Sequence, residues 1–320
     1  MATPSARFDV VTMGRIGVDV YPHEVGVSLR HARTFGKYLG GSPTNVAVAA
    51  ARYGRRTAVV TRVGADPFGA FLRDALRGFG VDDRFVREHP TLPTPVTFCE
   101  MFPPDDFPLY FYRQPKAPDL EIRADELDVE AIRRARVLWV TVTGLSQEPS
   151  RSATLAALQA RGRSPLTVLD LDYRPMFWSE LEAARRWARE ALALVTVAVG
   201  NRDECEMAVG EGRADGAARA LLAHGLDLAV VKQGPVGVLA DDGTGVVEVP
   251  PVAVEVMNGL GAGDAFGGAL CHGLLAGWDV ARTLSFANAA GALVASRLPC
   301  ADAMPRAAEV ESLLQEAARA

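Results

Sequence analysis

The 320-residue chain has little of several things that mark other classes of protein. No apolar run approaches the roughly 20 residues that span a bilayer, so no transmembrane segment is expected. The four cysteines, Cys99, Cys205, Cys271 and Cys300, are scattered and form no Cys-x-x-Cys pair. That argues against a zinc site or a redox dithiol and predicts buried thiols in a reducing compartment. Lysine occurs only at positions 37, 116 and 232; the remaining basic residues are arginine, which reads as genome bias rather than chemistry. No basic block interrupts a formal charge of −5, so neither a nucleic-acid nor a membrane-surface partner is expected. Residues 1–7 are polar and lack the apolar core of a signal peptide, which predicts a cytoplasmic protein. Repeats, low-complexity tracts and linkers are absent as well. With 49% hydrophobic content, one full-sized domain acting on a small molecule is the expectation.

What the chain does have is a late run of small residues, Gly259-Leu260-Gly261-Ala262-Gly263-Asp264-Ala265-Phe266, leading into apolar positions at helical spacing. Small side chains let backbone N–H groups close around an anion, and a helix N-terminus adds partial positive charge. The run therefore predicts a phosphate seat. Asp264 falls in the first turn, where it either caps the helix or, beside a bound phosphate, orients a hydroxyl and accepts its proton.

Upstream, short apolar runs alternate with helical patterns. Strands are predicted at 8–14, 57–63, 137–142, 166–170 and 195–199 and from 228, with helices at 42–53, 67–78, 150–161, 180–193 and 280–296. Ser42 and Asp66, each followed by proline, read as helix N-caps. The alternation predicts parallel βαβ units and an α/β fold. Between 94 and 113 it breaks: 96–102 and 109–113 are aromatic-rich strands around a proline-laden loop, the form of a hairpin that projects as a lid.

Candidate site residues punctuate this pattern. Asp19 is expected at the C-terminal edge of the first strand, where it holds sugar hydroxyls or is a solvated turn residue. Gly40 and Gly41 let a ligand touch backbone, with Asn45 offering donor and acceptor; a plain turn is the alternative. Arg113 and Arg174 are candidates for gripping a carboxylate, against the commoner fate of exposed arginines. Glu204, in Asn201-Arg202-Asp203-Glu204, either faces a metal through water or complements the helix dipole, and spacing favours the second. The turn Lys232-Gln233-Gly234-Pro235-Val236-Gly237 holds a nucleotide or only reverses the chain. Asn288-Ala289-Ala290-Gly291 leaves room for a planar base or for close helix packing.

Taken jointly, Gly-Gly-x-x-x-Asn at 40–45, Asn-x-x-Glu at 201–204 and Gly-Ala-Gly-Asp at 261–264 resemble the PfkB, or ribokinase-like, carbohydrate kinase family over nearly the whole chain. The resemblance implies one kinase domain over 1–320: an αβα sandwich with a central mostly parallel sheet and a small β lid from about 20–40 and 94–115. It implies ATP, Mg²⁺ and phosphorylation of a primary sugar hydroxyl. Asp264 would be the catalytic base and Gly261, Ala262 and Gly263 the anion hole. Asp19, Gly40, Gly41, Asn45, Arg113, Asp172 and Arg174 would surround the sugar. Asn201, Lys232, Gly234, Gly237 and Asn288 would surround the nucleotide, and Glu204 would reach Mg²⁺ through water. An Asp at a helix N-terminus is expected to have a low pKa, so it would mainly align the hydroxyl and take the proton late.

The words Lys37-Tyr38-Leu39-Gly40-Gly41, Phe107-Pro108-Leu109-Tyr110-Phe111-Tyr112-Arg113, Asp172-Tyr173-Arg174-Pro175 and Asn258-Gly259-Leu260-Gly261-Ala262-Gly263-Asp264 narrow the resemblance. They resemble the branch that phosphorylates 5-dehydro-2-deoxygluconate in myo-inositol breakdown, a keto acid whose carboxylate suits two arginines. 2-Keto-3-deoxygluconate, which the arginines do not separate from it, and a neutral sugar of the fructokinase or ribokinase type are the alternatives. A non-catalytic sugar-binding regulator is a remoter one, against which Asp264 and the complete glycine seat speak. An NAD-dependent oxidoreductase is disfavoured, because the glycine run sits at the wrong end and Arg282 and Thr283 stand where an acid is needed. Asn258-Gly259 replaces the Asp-Thr that in many members helps hold a monovalent cation, which weakens the case for K⁺. Asp172 stands where related acid-sugar kinases often have Asn. A homodimer through the lid is left open.

Overall fold

The computed structural model describes residues 7–319; the polar stretch 1–6, which carries most of the expectation about a signal peptide, lies outside them. Val10–Met13, Thr57–Gly64, Val137–Thr141, Thr167–Asp170, Val197–Asn201 and Leu228–Lys232 are β-branched-rich runs buried along almost their whole length. Such runs suit strands covered on both faces, and they pair in parallel within a ten-stranded sheet. Alternate residues feed two cores. Leu138 and Val140 pack under the helices Ser150–Arg161, Leu181–Leu192, Arg202–Val209 and Ala214–Leu222. Val137 and Trp139 pack under Ser42–Arg52, Ala262–Ala276 and Val280–Ala295.

The predicted αβα architecture is thus observed, with parallel strands expected from the alternation. The sequence pattern missed an antiparallel extension, Val238–Asp241 and Val246–Val249, which doubles back from Leu228–Lys232 at one edge. It also missed the helices Ala214–Leu222 and Ala307–Ala317, whose alanines blur the apolar stripe.

A second sheet of four strands runs in the order Phe35–Gly40, Gly17–Pro22, Val96–Cys99, Leu109–Tyr112. The aromatic-rich segments do pair antiparallel, Val96 facing Tyr112 and Cys99 facing Leu109, but inside this larger sheet. Gly14-Arg15-Ile16 carries the chain directly from the first main-sheet strand into the small sheet. Asp19 therefore lies within a small-sheet strand, paired with Tyr38 and Thr97, rather than in a loop at the main sheet's edge. Ser42 also departs from expectation. Gly41 is the N-cap, with φ at 108°, and the Ser42 hydroxyl donates instead to Asp170 Oδ2 at 3.4 Å. Asp66 is the N-cap expected, accepting from the Gly69 N–H at 2.8 Å.

Two helices meet with only small side chains between them. A Cβ on Gly268 would lie 2.4 Å from Ala49 Cβ and 2.9 Å from the Ala50 nitrogen, and one on Gly267 would lie 2.7 Å from the Trp139 ring. Ser42–Arg52 and Ala262–Ala276 consequently touch backbone to backbone, which brings their N-terminal turns together. Gly268→Val is expected to cost about 2–3 kcal/mol of stability, because the obstacle is backbone that cannot step aside. Urea unfolding measures it, and an unchanged midpoint would show that the interface tolerates bulk.

Candidate active site

The N-terminus of Ala262–Ala276 starts from Gly261, whose left-handed φ of 82° and whose contact with Cys300, 2.8 Å from an added Cβ to the sulfur, both demand glycine. The first N–H groups beyond it have no partner within the helix and point outward. Beside them stands Lys232, at the end of its strand, with Nζ 3.3 Å from the position of a Cβ on Gly263. Burial works against the Lys232 charge, but Glu204, Asp170 and Asp264 outweigh it and hold the ammonium's pKa above its ordinary value. Helix amides and a lysine together form an anion seat.

Asp264 occupies the first turn, and Asn45 Nδ2 donates to its Oδ2 at 2.8 Å. Contrary to the low pKa expected at a helix N-terminus, the Asp264 carboxyl is pushed up. Burial is the main cause and outweighs the bonds from Asn45 and Ser42 and the charge of Arg15. A raised carboxyl is a stronger proton acceptor than the sequence implied. Asp19 sits under the Gly40 backbone, where an added Cβ would fall 2.2 Å from its Cγ, so only glycine fits over it. Burial pushes Asp19 up to about 7, with Arg15 acting against the shift and Asp264 adding to it. Asp170 is likewise raised by burial, against the pull of Lys232.

Along the neighbouring edge, Asp172 is buried and receives the Thr143 hydroxyl at 3.2 Å, Arg174 at 3.0 Å and Arg15 at 3.6 Å. Arg174 also stands 4.0 Å from Glu204. Arg113 is buried against Asp119 at 2.7 Å, its guanidinium over the Phe177 ring at 5.1 Å. Arg15, Phe111, Arg113, Thr143, Ser146 and Phe177 line a cleft of about 170 Å³ between the small sheet and the main one.

The residues expected around a nucleotide have clear local roles. Asn201 and Glu204 form a reciprocal capping box, with bonds of 2.8 and 2.7 Å, and Glu204 Oε1 is turned to Arg174. Gly237, with φ at 114° and an added Cβ 2.2 Å from the Val249 carbonyl oxygen, turns the chain into the antiparallel extension together with Gly234. Asn288 Nδ2 donates to the Pro250 carbonyl at 2.8 Å, and Gly291 lets its helix approach the Ala262 carbonyl. Sequence reasoning missed Arg15, Thr143 and Ser146 as members of the cleft. Arg15, directly after the glycine that ends the first strand, carried a positional signal for that edge.

Residues 7–307 match the model of the pfkB family carbohydrate kinases. The chain belongs to that family. The pfkB kinase is 32% identical over 96% of its length, and 93% of the relative's, to a Clostridium tetani protein named 5-dehydro-2-deoxygluconokinase. A fructokinase from Xylella fastidiosa solved with bound ATP is 25% identical, with a TM-score of 0.84 over 97% of this chain and 99% of that one. A provisionally named ribokinase II from E. coli, solved with ATP and Mg²⁺, shares the fold at 23% identity and a TM-score of 0.88, over the same shares of the two chains. The kinase is therefore a phosphotransferase acting on an alcohol, with a ribokinase-like fold.

Two outcomes are expected. In this kinase, Asp264→Asn lowers turnover by at least about 10²-fold while nucleotide binding persists, and undiminished turnover would remove Asp264 from proton transfer. The second concerns pH. Asp19 has a folded pKa of about 7 against an ordinary 3.8, so its protonated form stabilises the fold and that contribution fades as pH rises between the two values. Asp19→Asn, which resembles the neutral acid, should resist urea better than the parent at pH 8 and lose the advantage near pH 4; parallel stability curves would refute the assignment.

Proposed function

We propose that this kinase transfers the terminal phosphoryl group of ATP to the primary hydroxyl of 5-dehydro-2-deoxy-D-gluconate, giving the 6-phosphate in a cytoplasmic myo-inositol degradation route. The observation that carries the reading is the cleft lined by Arg15 and Arg113, with Asp172 joining Arg15 to Arg174, in a chain that also brings Asn45 onto Asp264 and whose relative is named for that substrate. A neutral hexose would give the charge of Arg15, whose pairing to Asp172 at 3.6 Å is long, nothing in return.

In this reading the chain is one kinase domain over 1–320, and the four-stranded sheet is its lid. Asp19, Gly40, Gly41, Asn45 and Asp172 hold the acceptor's hydroxyls, and Arg113 and Arg174 frame the carboxylate. Asp264 aligns the reacting hydroxyl and receives its proton. The amides of Gly261, Ala262 and Gly263, with Lys232, offset negative charge on the phosphoryl group during a loose transition state in which positioning and charge are the enzyme's main tasks. The nucleotide lies along Asn201, the turn at Gly234 and Gly237, and Asn288.

No group of three or more His, Cys, Asp or Glu side chains among the described residues is arranged as a metal cage. Mg²⁺ keeps several waters and binds largely through nucleotide phosphates, so one or two carboxylates suffice, and Glu204 acting through water fits that requirement. K⁺ is left out of the proposal. Asn258 Nδ2 donates to the Leu298 carbonyl at 2.5 Å and its Oδ1 accepts from the Leu260 N–H at 3.0 Å, so a side-chain amide already closes the loop before the seat.

ADP release measured with 5-dehydro-2-deoxygluconate, 2-keto-3-deoxygluconate, fructose and ribose tests the reading. The first is expected to give the highest kcat/KM, exceeding the neutral sugars by on the order of 10²-fold, the worth of a charge-assisted pair. A neutral sugar that equals it would overturn the proposal.

A further inference from the structure

We infer that Arg15 and Ser146 form the subsite that grips the acceptor's carboxylate, an inference that rests on the keto-acid reading above. Arg113, which lines the cleft, and Arg174, which shares Asp172 with Arg15, each already have a close protein counter-ion, Asp119 at 2.7 Å and Asp172 at 3.0 Å. Arg15 differs. Its backbone is pinned: its carbonyl accepts from Thr44 Oγ1 at 3.1 Å and presses on Gly41, where an added Cβ would come within 2.4 Å of it. Its side chain is only 12% exposed and stands over the Phe111 ring at 5.7 Å. Its one ion pair among the described residues, 3.6 Å to Asp172, is long and goes to a carboxylate that Arg174 and Thr143 already occupy. Arg15 Nε is buried and finds no hydrogen-bond partner among the described residues.

Ser146, which caps the turn Val142–Leu145 after the Val137–Thr141 strand, is 7% exposed, and its buried Oγ also lacks a partner among those residues. Both side chains line the same cleft. An unsatisfied guanidinium nitrogen and an unsatisfied hydroxyl on one cavity match an acceptor with two oxygens and a negative charge. A sugar hydroxyl would meet the hydrogen bonds but leave the arginine's charge desolvated. In a six-carbon keto acid the carboxylate lies at the opposite end from the primary hydroxyl. Holding it at Arg15 leaves that hydroxyl to reach Asp264, across Asp19, on which the charges of Arg15 and Asp264 both act.

The test compares 5-dehydro-2-deoxygluconate with its neutral C1 amide as acceptors for the parent, Arg15→Gln, Arg15→Lys and Ser146→Ala. Arg15→Gln is expected to raise KM for the acid by on the order of 10²-fold, more than it lowers kcat, and to shrink the acid-over-amide preference by a similar factor. Arg15→Lys restores part of that preference, and Ser146→Ala lowers it by about tenfold. A preference in Arg15→Gln equal to the parent's overturns the inference, whatever the absolute loss. Should Arg15→Gln fail to fold, judged by urea unfolding, Ser146→Ala decides by the same ratio. The parent reports separately on the underlying reading. If it turns over the amide as well as the acid, the keto-acid substrate itself is wrong; if it prefers the acid while the variants keep its ratio, only the subsite is.

Discussion

The contact between Asn45 and Asp264 joins residues more than two hundred positions apart, each on the first turn of its own helix. Interaxial distances of 8–10 Å depend on the side chains at the crossing, and here Gly267 and Gly268 remove them. The helices then meet on Ala49, Ala50 and Val46, and the amide of one end docks on the carboxylate of the other. The candidate site is in this sense a product of core packing: the same glycines that let apolar layers close also set where a proton acceptor stands.

The electrostatics follow from the sheet. Parallel strands end on one edge, and that edge collects Arg15, Asp170, Asp172, Asn201 and Lys232 at or just beyond strand termini. Carboxylates gathered there are stripped of water, so Asp19, Asp170 and Asp264 all shift toward their neutral forms. Lys232 and the arginines are what keep the cluster compatible with folding, since paired charges lose less on burial than isolated ones. A negatively charged nucleotide entering beside Lys232 would raise these carboxylates further, and cations on the phosphates would act the other way.

The main sheet was legible in sequence because buried strands write themselves as apolar runs, and one helix start was legible as Asp66 before Pro. Six of the parallel strands fall where those runs lie. The antiparallel extension was not, because Val246–Val249 alternates exposed and half-buried residues and carries no run to read. The site was legible in part. Gly261, Gly263, Asp264, Gly40, Gly41 and Asn45 announced themselves through small residues at helix starts, where backbone geometry constrains residue type. Ser146 did not, and Arg15 gave only its position after Gly14, because nothing local distinguishes an arginine aimed into a cleft from one aimed at solvent. The same limit applies to Arg113 and Arg174, whose type was read correctly as cationic but whose partners, Asp119 and Asp172, only the fold reveals.

Asp172 shows why pairing matters more than charge count. It accepts from Arg174 and Thr143 and lies within ion-pair distance of Arg15, with 3% of its side chain exposed. An asparagine there would keep the hydroxyl contact but give up the negative charge that balances two guanidinium groups. Those groups would then carry a surplus of positive charge, and the desolvation cost would fall on the protein without ligand. With aspartate the resting cleft is close to balanced, and only the weakly paired Arg15 retains capacity for an incoming carboxylate. Selectivity for an acid over a neutral sugar therefore depends less on how many arginines line the cleft than on which of them the fold leaves underused.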